Sequence, residues 1–471
     1  MPTTETSAGA RWSELITPRY GAATVTLCLG VALFAFNAFL VSTSLPTAVQ
    51  EIGGVAVIAW ATSIYLALSI VGGAASSRLK ASYGARAALI AAAALFLCGT
   101  LLAANASSMT EILIGRALQG IGEGIISALC YTLIPELFPG RLIAKVFGAE
   151  AVVWAAAAFG GPLLAGFVTD TVSWRAAFLI NVPVIAIFVA LVLFVVPRAS
   201  AEPERTPLPF LRLAAIGAGI LLVTFSSVAT SPTGMAALVL LAGAVLVATV
   251  ARDRASAFPL FPSDAFSLRT RGGAALWIVF LMPLAQASTA VYLVLTLQTL
   301  WGFGATAAGA FNASLALAWS FFAIAVANLG PDVNRSAFIA SGPVLLVVGL
   351  ATIVTGLVTD LAMVALIGQI AIGAGFGVSW AFVSQSVMEN ARPGERDRAS
   401  GALPTLQSAG YAVGAALAGL VANAAGYTVA HTAAVRSAAI VVYTVSAGIG
   451  LLAVAAGLML QRKLAGDSEK A

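Results

Sequence analysis

Long, nearly continuous runs of apolar residues recur along the whole chain, and polar residues concentrate in the short segments between them. The runs do not alternate with a period of two residues, and most are long enough for a helix to cross a bilayer, which takes about 20 residues. They predict fourteen spans, near 21–45, 53–76, 84–104, 109–135, 142–169, 174–197, 210–229, 234–251, 272–298, 304–328, 336–357, 360–388, 398–424 and 434–461. We therefore expect an all-α membrane protein.

The composition excludes several classes of protein. Of the 471 residues, 60% are hydrophobic and only 9% are charged, whereas an average soluble domain has about 25% charged residues. A soluble globular enzyme and a disordered chain are both excluded. The three cysteines, Cys28, Cys98 and Cys130, form no spaced cluster with the single histidine, His431, so we expect neither a disulfide framework nor a metal site. The first apolar run is too long for a signal peptide.

The basic residues test the number and order of the spans. If the N-terminus lies in the cytoplasm, all but three of the 24 Lys and Arg residues fall in cytoplasmic segments. The exceptions are Arg175 and Arg436 in outer segments and Arg116 inside a span. This bias follows the positive-inside rule, and a miscounted span would disrupt it. The net charge of +5 therefore reflects topology, not nucleic-acid binding. We expect the chain to lie in a bacterial inner membrane, with both termini in the cytoplasm.

Two stretches of the chain match at an offset of 253 residues. Leu113–Gly124 and Leu366–Gly377 share the frame L-I-G-x-x-x-x-G-x-G-x-G, and Gly161–Gly166 matches Gly414–Gly419 at the same offset, which disfavours a chance match of glycine-rich helices. Parallel repeats of this kind place a substrate site between two halves, near the middle of the membrane. We expect an N-terminal six-helix bundle, an inserted helix pair with cytoplasmic linkers and a C-terminal six-helix bundle, at 1–200, 201–268 and 269–471.

Five short segments follow one another in a recognisable order. They are N-A-F-L-V-S-T-S-L-P at Asn37–Pro46, Trp60 with Tyr65, R-A-L-Q-G at Arg116–Gly120, G-G-P-L-L-A-G at Gly160–Gly166 and W-R-A-A-F-L-I-N-V-P at Trp174–Pro183. With them the chain resembles the major facilitator superfamily from about Ala22 to Arg462 and, within it, the fourteen-helix drug–proton antiporter branch. The resemblance implies a secondary transporter that works by alternating access, uses the proton gradient and needs no bound cofactor.

Two departures from the family pattern concern charge. The first-helix signature usually carries an acid nine residues before its proline, where this chain has Asn37. The loop after the second helix usually has Gly, Asp and Arg before a final Gly. The segment S-R-L-K-A-S-Y-G at Ser77–Gly84 keeps the final Gly84 but has Ser77, Ala81 and Ser82 instead. The usual protonation site is therefore missing. The loop also lacks part of the charge pattern that, by the resemblance, biases the conformational switch.

One acid, Glu123, lies near the middle of the fourth span. Placing an ionisable group inside the membrane costs free energy, so such a residue suggests a functional role. Glu123 follows Arg116 by seven residues, which places both on one helix face about 10.5 Å apart along the axis, with Gln119 between them as a bridge. Burial favours the neutral carboxyl, whereas a nearby arginine favours the carboxylate. We expect Glu123 to replace the missing first-helix acid as the proton site. The alternative is a permanent ion pair that locks the helix to a neighbour.

Two other charged residues lie within spans of the first half. Arg116 stays charged, so its role is electrostatic, either on Glu123 or on an anionic substrate. Hydrogen bonds to first-helix carbonyls and Asn37 are equally compatible with its position. Glu150, in the cytoplasmic third of the fifth span, is a second candidate for proton coupling, but an interfacial or ion-paired side chain is the favoured interpretation. At the repeat offset the second half has Gln369 and Phe376 in place of Arg116 and Glu123.

Polar and aromatic side chains within spans are candidates for a substrate cavity, although each alone is more typical of packing or of the interface belt. They are Asn37, Trp60, Tyr65, Gln119, Trp154, Gln286, Gln298, Trp319, Trp380, Gln407 and Tyr411. Such a set suits amphipathic or weakly cationic organic molecules. Gly161, Pro162 and Gly166 predict a kinked, closely packed fifth helix, and Gly84 belongs to the loop motif. An ordinary membrane-helix kink explains the segment equally simply, but the family resemblance implies a role in the contact between the halves that seals the cavity on one side.

These patterns predict an exporter of hydrophobic or amphipathic small molecules that exchanges them for protons. No phosphate-binding loop is present in the sequence, so ATP is not the expected energy source, and no nucleophile motif supports an enzyme. An uncoupled facilitator or a specific metabolite exporter is the alternative, which Asn37 favours. A membrane enzyme or a receptor is disfavoured by the two-half repeat. We expect the chain to work as a monomer whose partners are the bilayer and a small-molecule substrate.

Overall fold

The computed structural model describes residues 11–198, 210–229, 231–256, 259–327, 334–392, 395–427 and 431–468. In these ranges the chain is helical and contains no strand. Thirteen of the helices described there are long and apolar enough to cross a membrane, and Phe210–Ser226 is an apolar helix of 17 residues. The all-helical class is confirmed. The count of fourteen spans stays a prediction, because a 17-residue helix is at the short limit for crossing a bilayer.

Each predicted apolar run corresponds to a helix within a few residues. In chain order, α1 to α15 are Gly21–Ile52, Ile58–Tyr83, Ala85–Ala104, Met109–Leu137, Gly140–Thr171, Trp174–Leu179, Asn181–Val195, Phe210–Ser226, Pro232–Arg254, Arg271–Trp301, Ala305–Ala327, Arg335–Thr359, Ala362–Glu389, Arg396–Ala424 and Thr432–Ser468. The predicted span at 174–197 comprises α6 and α7. Ile180 between them keeps helical backbone angles, so the two cross as one segment.

Local chemistry fixes where several helices begin and end. Ser108, Thr270 and Asn334 precede α4, α10 and α12, and each side chain accepts a hydrogen bond from a backbone N–H of the first turn. Gly84 ends α2 with a φ of 82°, a conformation that side-chain-bearing residues rarely adopt. This requirement explains the glycine at the end of the loop motif and lets α3 begin at the next residue.

The glycine frame of the internal repeat has the same structural role in both copies. A Cβ added at Gly120 would collide with the backbone of α2 at Tyr65, and one at Gly122 would collide with α3. In the second copy, Gly373 lies in the same way against α11 and Gly375 against α12. The frame therefore lets α4 and α13 each approach two neighbouring helices at backbone distance, as small residues do in membrane bundles.

The helices pack as two sets that follow the same plan. In the first set, α1 packs on α5, and α2 and α3 pack on α4; in the second, α10 packs on α14, and α11 and α12 pack on α13. We call α1–α7 the first half and α10–α15 the second half. The halves meet through α5 with α11 and through α2 with α14. The predicted domain boundary at 200 lies outside the described residues, and the division into domains stays a prediction.

The inserted pair α8 and α9 lies beside one of these two contacts. α8 packs on α9, on α2 of the first half and on α14 of the second. The Trp60 indole N–H donates to Ser227 Oγ just after α8 at 2.8 Å, and Asn423 Nδ2 donates to the Ser227 carbonyl at 2.8 Å. The end of α8 is therefore bound to both halves.

Candidate functional site

A group of polar side chains lies inside the first half, and none of them is more than 3% exposed. We call it the polar cluster; it consists of Asn37, Tyr65, Thr100, Arg116, Gln119, Glu123 and Asn181. Arg116, Gln119 and Glu123 fall on one face of α4 because they are three and seven residues apart. The glycines of the repeat frame bring α2 and α3 close enough to cover that face.

Glu123 is fully buried, and its two carboxyl oxygens differ sharply in their surroundings. The Tyr65 hydroxyl from α2 donates to Oε2, and Asn37 Nδ2 from α1 donates to the same atom at 3.3 Å. Oε1 has no hydrogen-bond partner. A buried polar atom without a partner is costly, and such atoms call for an explanation. Oε1 is the atom of Glu123 that is free to take a proton.

Arg116 reaches Glu123 through an aromatic ring. Its guanidinium carbon lies 3.7 Å from the centre of the Tyr65 ring, whose hydroxyl bonds Glu123. Nη1 of Arg116 donates to Gln119 Oε1 at 2.8 Å, and Nε donates to the Ala61 carbonyl of α2 at 3.2 Å. No ion pair between Arg116 and Glu123 is found, both residues being described. A direct ion pair is therefore wrong for this structure, and the arginine bonds a carbonyl of the second helix, not the first.

Gln119 does not bridge Arg116 to Glu123, contrary to the expectation from spacing. Its amide Nε2 donates to Thr100 Oγ1 on α3 at 2.9 Å, while its oxygen accepts from Arg116. The Gln119 amide N–H, which the spacing along α4 assigned to Glu123, therefore donates to α3 instead. Tyr65, predicted as a cavity residue, occupies the bridging position instead.

Asn37 joins the cluster to α7, which the sequence analysis did not anticipate. Asn37 Oδ1 accepts from Asn181 Nδ2 at 3.3 Å, and Asn181 Nδ2 also donates to the Phe178 carbonyl at 3.4 Å. Asn181 is part of the quoted W-R-A-A-F-L-I-N-V-P segment, where a lone amide at the start of an apolar run was the available signal. It is a residue of the site that the sequence analysis missed.

Glu150 is the second buried acid of the first half. Its side chain is 2% exposed, and neither carboxyl oxygen has a hydrogen-bond partner. It lies within electrostatic range of Cys28 on α1 and of Cys130 and Tyr131 on α4. The favoured interpretation, a side chain that reaches the interface or pairs with a cytoplasmic arginine, is therefore wrong for this structure. Because Cys130 follows Glu123 by seven residues on α4, Glu150 lies beside a later turn of α4 than Glu123 does.

The matching region of the second half carries no charge. Gln369 is fully buried, and its Nε2 donates to Asn312 Oδ1 at 3.3 Å. Phe376, at the position of Glu123 in the repeat, stacks on Trp319 with ring centres 4.8 Å apart, and Trp380 lies 5.7 Å from Phe376. An aromatic cluster therefore stands where the first half has its carboxyl, and it contains two of the four tryptophans predicted for the cavity, Trp319 and Trp380.

The other cavity candidates are dispersed. Phe34 lies between Tyr65 and Trp154, 6.4 and 5.4 Å from their ring centres, so Trp154 adjoins the polar cluster. Gln286 is buried and donates within its own helix to Thr289 at 3.0 Å. The half-buried Gln407 and Tyr411 follow each other by one turn on α14.

Two candidates lie away from any shared cavity. Trp60 packs edge-on against Phe225 of the inserted pair at 4.9 Å. Gln298 lies near the end of α10, where it accepts from Gln50 at 3.0 Å and donates to Thr47 at 3.1 Å. It therefore joins the two halves of the bundle.

Hydrogen bonds join the halves at the face where α1 and α10 end and α11 begins, which we call the closed face. Besides Gln298, Asp170 at the end of α5 accepts from the Ala305 and Thr306 backbone N–H groups at 2.9 and 2.7 Å and from the Thr306 hydroxyl at 2.6 Å. These donors form the first turn of α11, so a carboxylate of one half caps a helix of the other. The sequence analysis did not single out Asp170.

The glycine–proline segment of α5 lies beside this cap. A Cβ added at Gly166 would collide with Thr306 and Ala305, and one added at Gly309 on α11 would collide with the Pro162 carbonyl. Gly161 packs in the same manner against Phe39 of α1. The predicted contact between the halves is thus present, and α5 runs through Pro162 as one helix from Gly140 to Thr171.

The comparison with protein families decides the classification. The family profile described as Major Facilitator Superfamily matches residues 27–415, which include both copies of the repeat. The chain belongs to the major facilitator superfamily. As a superfamily member with this set of apolar helices, it is an integral membrane protein.

Two named relatives are similar to the chain, one over nearly its full length and one over part of it. "Probable multidrug-efflux transporter Rv1634" of Mycobacterium tuberculosis is 29% identical over 442 residues, covering 90% of this chain and 92% of the relative. "Multidrug transporter protein MdtP" of Bacillus subtilis is 30% identical over 182 residues, covering 38% and 33%.

Solved transporter structures share the fold. A D-xylose–proton symporter has a TM-score of 0.64 at 19% identity, covering 93% of this chain and 96% of that one. A peptide transporter in complex with alafosfalin has a TM-score of 0.68 at 14% identity, covering 96% and 99%. At these identities the likeness concerns the fold alone.

Proposed function

We propose that the chain is a secondary transporter that exports hydrophobic or amphipathic small molecules in exchange for protons, as a monomer of the fourteen-helix drug–proton antiporter branch. The proton gradient supplies the energy. The relatives named as multidrug transporters support efflux of drug-like molecules. In the aromatic cluster of the second half, the half-buried Trp319 and Trp380 are the rings on which flat apolar or weakly cationic molecules would stack.

One observation carries the proposal of proton coupling. Glu123 is a fully buried acid that two neutral groups, the Tyr65 hydroxyl and the Asn37 amide, hold through Oε2 alone. Oε1 is left without a partner, so a proton can bind there without breaking an existing bond. The nearby Arg116 lies over the Tyr65 ring and makes no direct ion pair with Glu123. The carboxyl is therefore free to gain and lose its proton during a cycle.

The bonds between the halves define the starting state of that cycle. With the N-terminus in the cytoplasm, as the basic residues predict, the closed face is the outer one. We infer that the substrate site between the halves is then accessible from the cytoplasm, where an exporter collects its substrate. Rocking of the halves breaks the Asp170 and Gln298 contacts and opens the outer side. Proton binding to Glu123 from outside, followed by its release inside, returns the halves to the starting state.

Transport into proteoliposomes tests the proposal. Purified protein is reconstituted with a pH indicator inside, and a panel of amphipathic dyes, including ethidium and acriflavine, is offered under an imposed pH gradient. Dye movement with opposite proton movement is expected for the wild type, and Glu123→Gln should lose the proton movement. Glu111→Gln is the matched control, because Glu111 lies on the same helix but is partly exposed and caps its start through Ser107 and Ser108.

A facilitator that does not couple to protons is the second candidate, because the first-helix acid of the family is Asn37 here. It predicts dye movement that follows the dye gradient alone and that Glu123→Gln leaves unchanged. Full proton-driven transport by Glu123→Gln would remove Glu123 from the mechanism.

A further inference from the structure

We propose that Asn181 is a positioning residue that sets the proton affinity of Glu123 by fixing the orientation of the Asn37 amide. The inference rests on the proposed role of Glu123. Asn181 touches neither the carboxyl nor the aromatic cluster of the second half in the structure; its hydrogen bonds go to Asn37 and to the Phe178 carbonyl. It therefore acts through Asn37.

The polarity of this chain of hydrogen bonds is determined at its far end. The Phe178 carbonyl is purely an acceptor, so the Asn181 group that faces it at 3.4 Å must be the NH2. The same nitrogen then presents its second proton to Asn37 Oδ1 at 3.3 Å. With its oxygen engaged, Asn37 has its NH2 left for Glu123 Oε2. A backbone carbonyl of α6 thus dictates which end of the Asn37 amide meets the carboxyl.

An amide NH2 and an amide oxygen have opposite effects on a carboxyl group. The NH2 donates to a carboxylate and favours the charged form, whereas the oxygen accepts from a protonated carboxyl and favours the neutral form. All members of the chain are at most 2% exposed, so water does not replace a lost partner. Without Asn181, the Asn37 amide is free to flip. Its oxygen can then face Glu123 and accept a hydrogen bond from the protonated carboxyl.

The other groups that act on Glu123 form no hydrogen bond with Asn181, whose partners are Asn37 and the Phe178 carbonyl. They are the Tyr65 hydroxyl of α2, which donates to Oε2, and the Arg116 guanidinium on α4, which lies over the Tyr65 ring. The contributions of α1 and α7 come from the neutral amides Asn37 and Asn181. A change in the titration of Glu123 caused by Asn181 can therefore be attributed to Asn37.

Infrared difference spectroscopy tests the inference on the full-length protein without any substrate. The C=O stretch of the protonated Glu123 carboxyl, assigned as the band lost in Glu123→Gln, is followed against pH. Asn181→Leu should raise the midpoint by about one pH unit, since one hydrogen bond to a charged group is worth about that much. Asn181→Ala carries the same expectation if the leucine variant does not fold. Asn312→Leu, which removes an amide from the second half, should leave the midpoint unchanged.

A double-variant comparison separates positioning from general damage. Asn37→Leu alone should raise the midpoint, and Asn37→Leu with Asn181→Leu should raise it no further, because Asn181 then has nothing to orient. Shifts that add in the double variant, or an Asn181→Leu midpoint equal to the wild-type value, would overturn the inference. A wild-type Glu123 band that never titrates would instead refute the proposed proton site, so the two failures are distinguishable.

Discussion

The cap that Asp170 provides on α11 should hold the closed face shut. Its carboxylate accepts three hydrogen bonds from the other half, two from backbone N–H groups and one from the Thr306 hydroxyl. Asp170→Ala removes all three and leaves the first turn of α11 uncapped. We expect the variant to populate the state in which this face is open.

The size of the effect follows from those three bonds. Hydrogen bonds to a charged group contribute about 1.5–3 kcal/mol when buried, but Asp170 is exposed and water competes for it. At about 0.7 kcal/mol each, the three bonds favour the closed face by about 2 kcal/mol. Such a loss changes the ratio of closed to open molecules by about thirtyfold. A state populated at a few per cent in the wild type would become comparable to the closed state.

Distances between spin labels report that ratio directly. With the three native cysteines replaced by serine, labels at Val172 and Val358, which are exposed on the two halves near this face, should show a longer distance in Asp170→Ala. Asp360→Ala is the matched control, because Asp360 bonds Arg436 at 2.6 Å and Trp301 at 2.9 Å, both within the second half. An unchanged distance in Asp170→Ala, or an equal change in Asp360→Ala, would refute this explanation of the closed face.

Three further predictions concern packing, proton number and pH. Gly120→Ala and Gly373→Ala should each lower stability by about 1–3 kcal/mol in thermal unfolding, because the added Cβ collides with a neighbouring helix backbone, whereas Gly160→Ala, which meets nothing, should be neutral. Glu150→Gln should reduce the protons moved per dye molecule, measured from internal pH and dye flux, because no hydrogen bond holds its buried carboxyl in one protonation state. The Arg436 guanidinium and the Trp301 indole hold the pKa of Asp360 below its ordinary value, so Asp360→Asn should lower Tm at neutral pH, a deficit that disappears as the pH falls through that lowered pKa.

The helices could be predicted from the sequence because their determinants are local. Runs of apolar residues and the polar segments between them place most helix ends within a few residues, from α3 at Ala85–Ala104 to α13 at Ala362–Glu389. The structural equivalence of α4 and α13 could also be predicted, since glycines at matching positions of the repeat frame make matching contacts in the two helices. The face shared by Arg116 and Glu123 follows from helical periodicity alone.

The partners within the polar cluster could not be predicted, because they depend on how distant helices are placed relative to one another. Gln119 bonds Thr100 because α3 lies beside it, and Asn181 meets Asn37 across 144 positions of sequence. Burial of Glu150 was missed for the same reason, since a position near a span end is compatible with either the interface or the bundle interior. Trp60 and Gln298 looked like cavity residues because periodicity does not say which neighbour a helix face meets.

The inserted pair makes the two sides of the bundle unequal toward the surrounding lipid. α8 covers the line along which α2 meets α14, and Trp60 and Asn423 tie its end to both halves through Ser227. The opposite line, between α5 and α11, has no such cover among the helices that are described. A hydrophobic molecule in the surrounding lipid therefore meets the inserted pair on one side of the bundle, and the α5–α11 contact directly on the other.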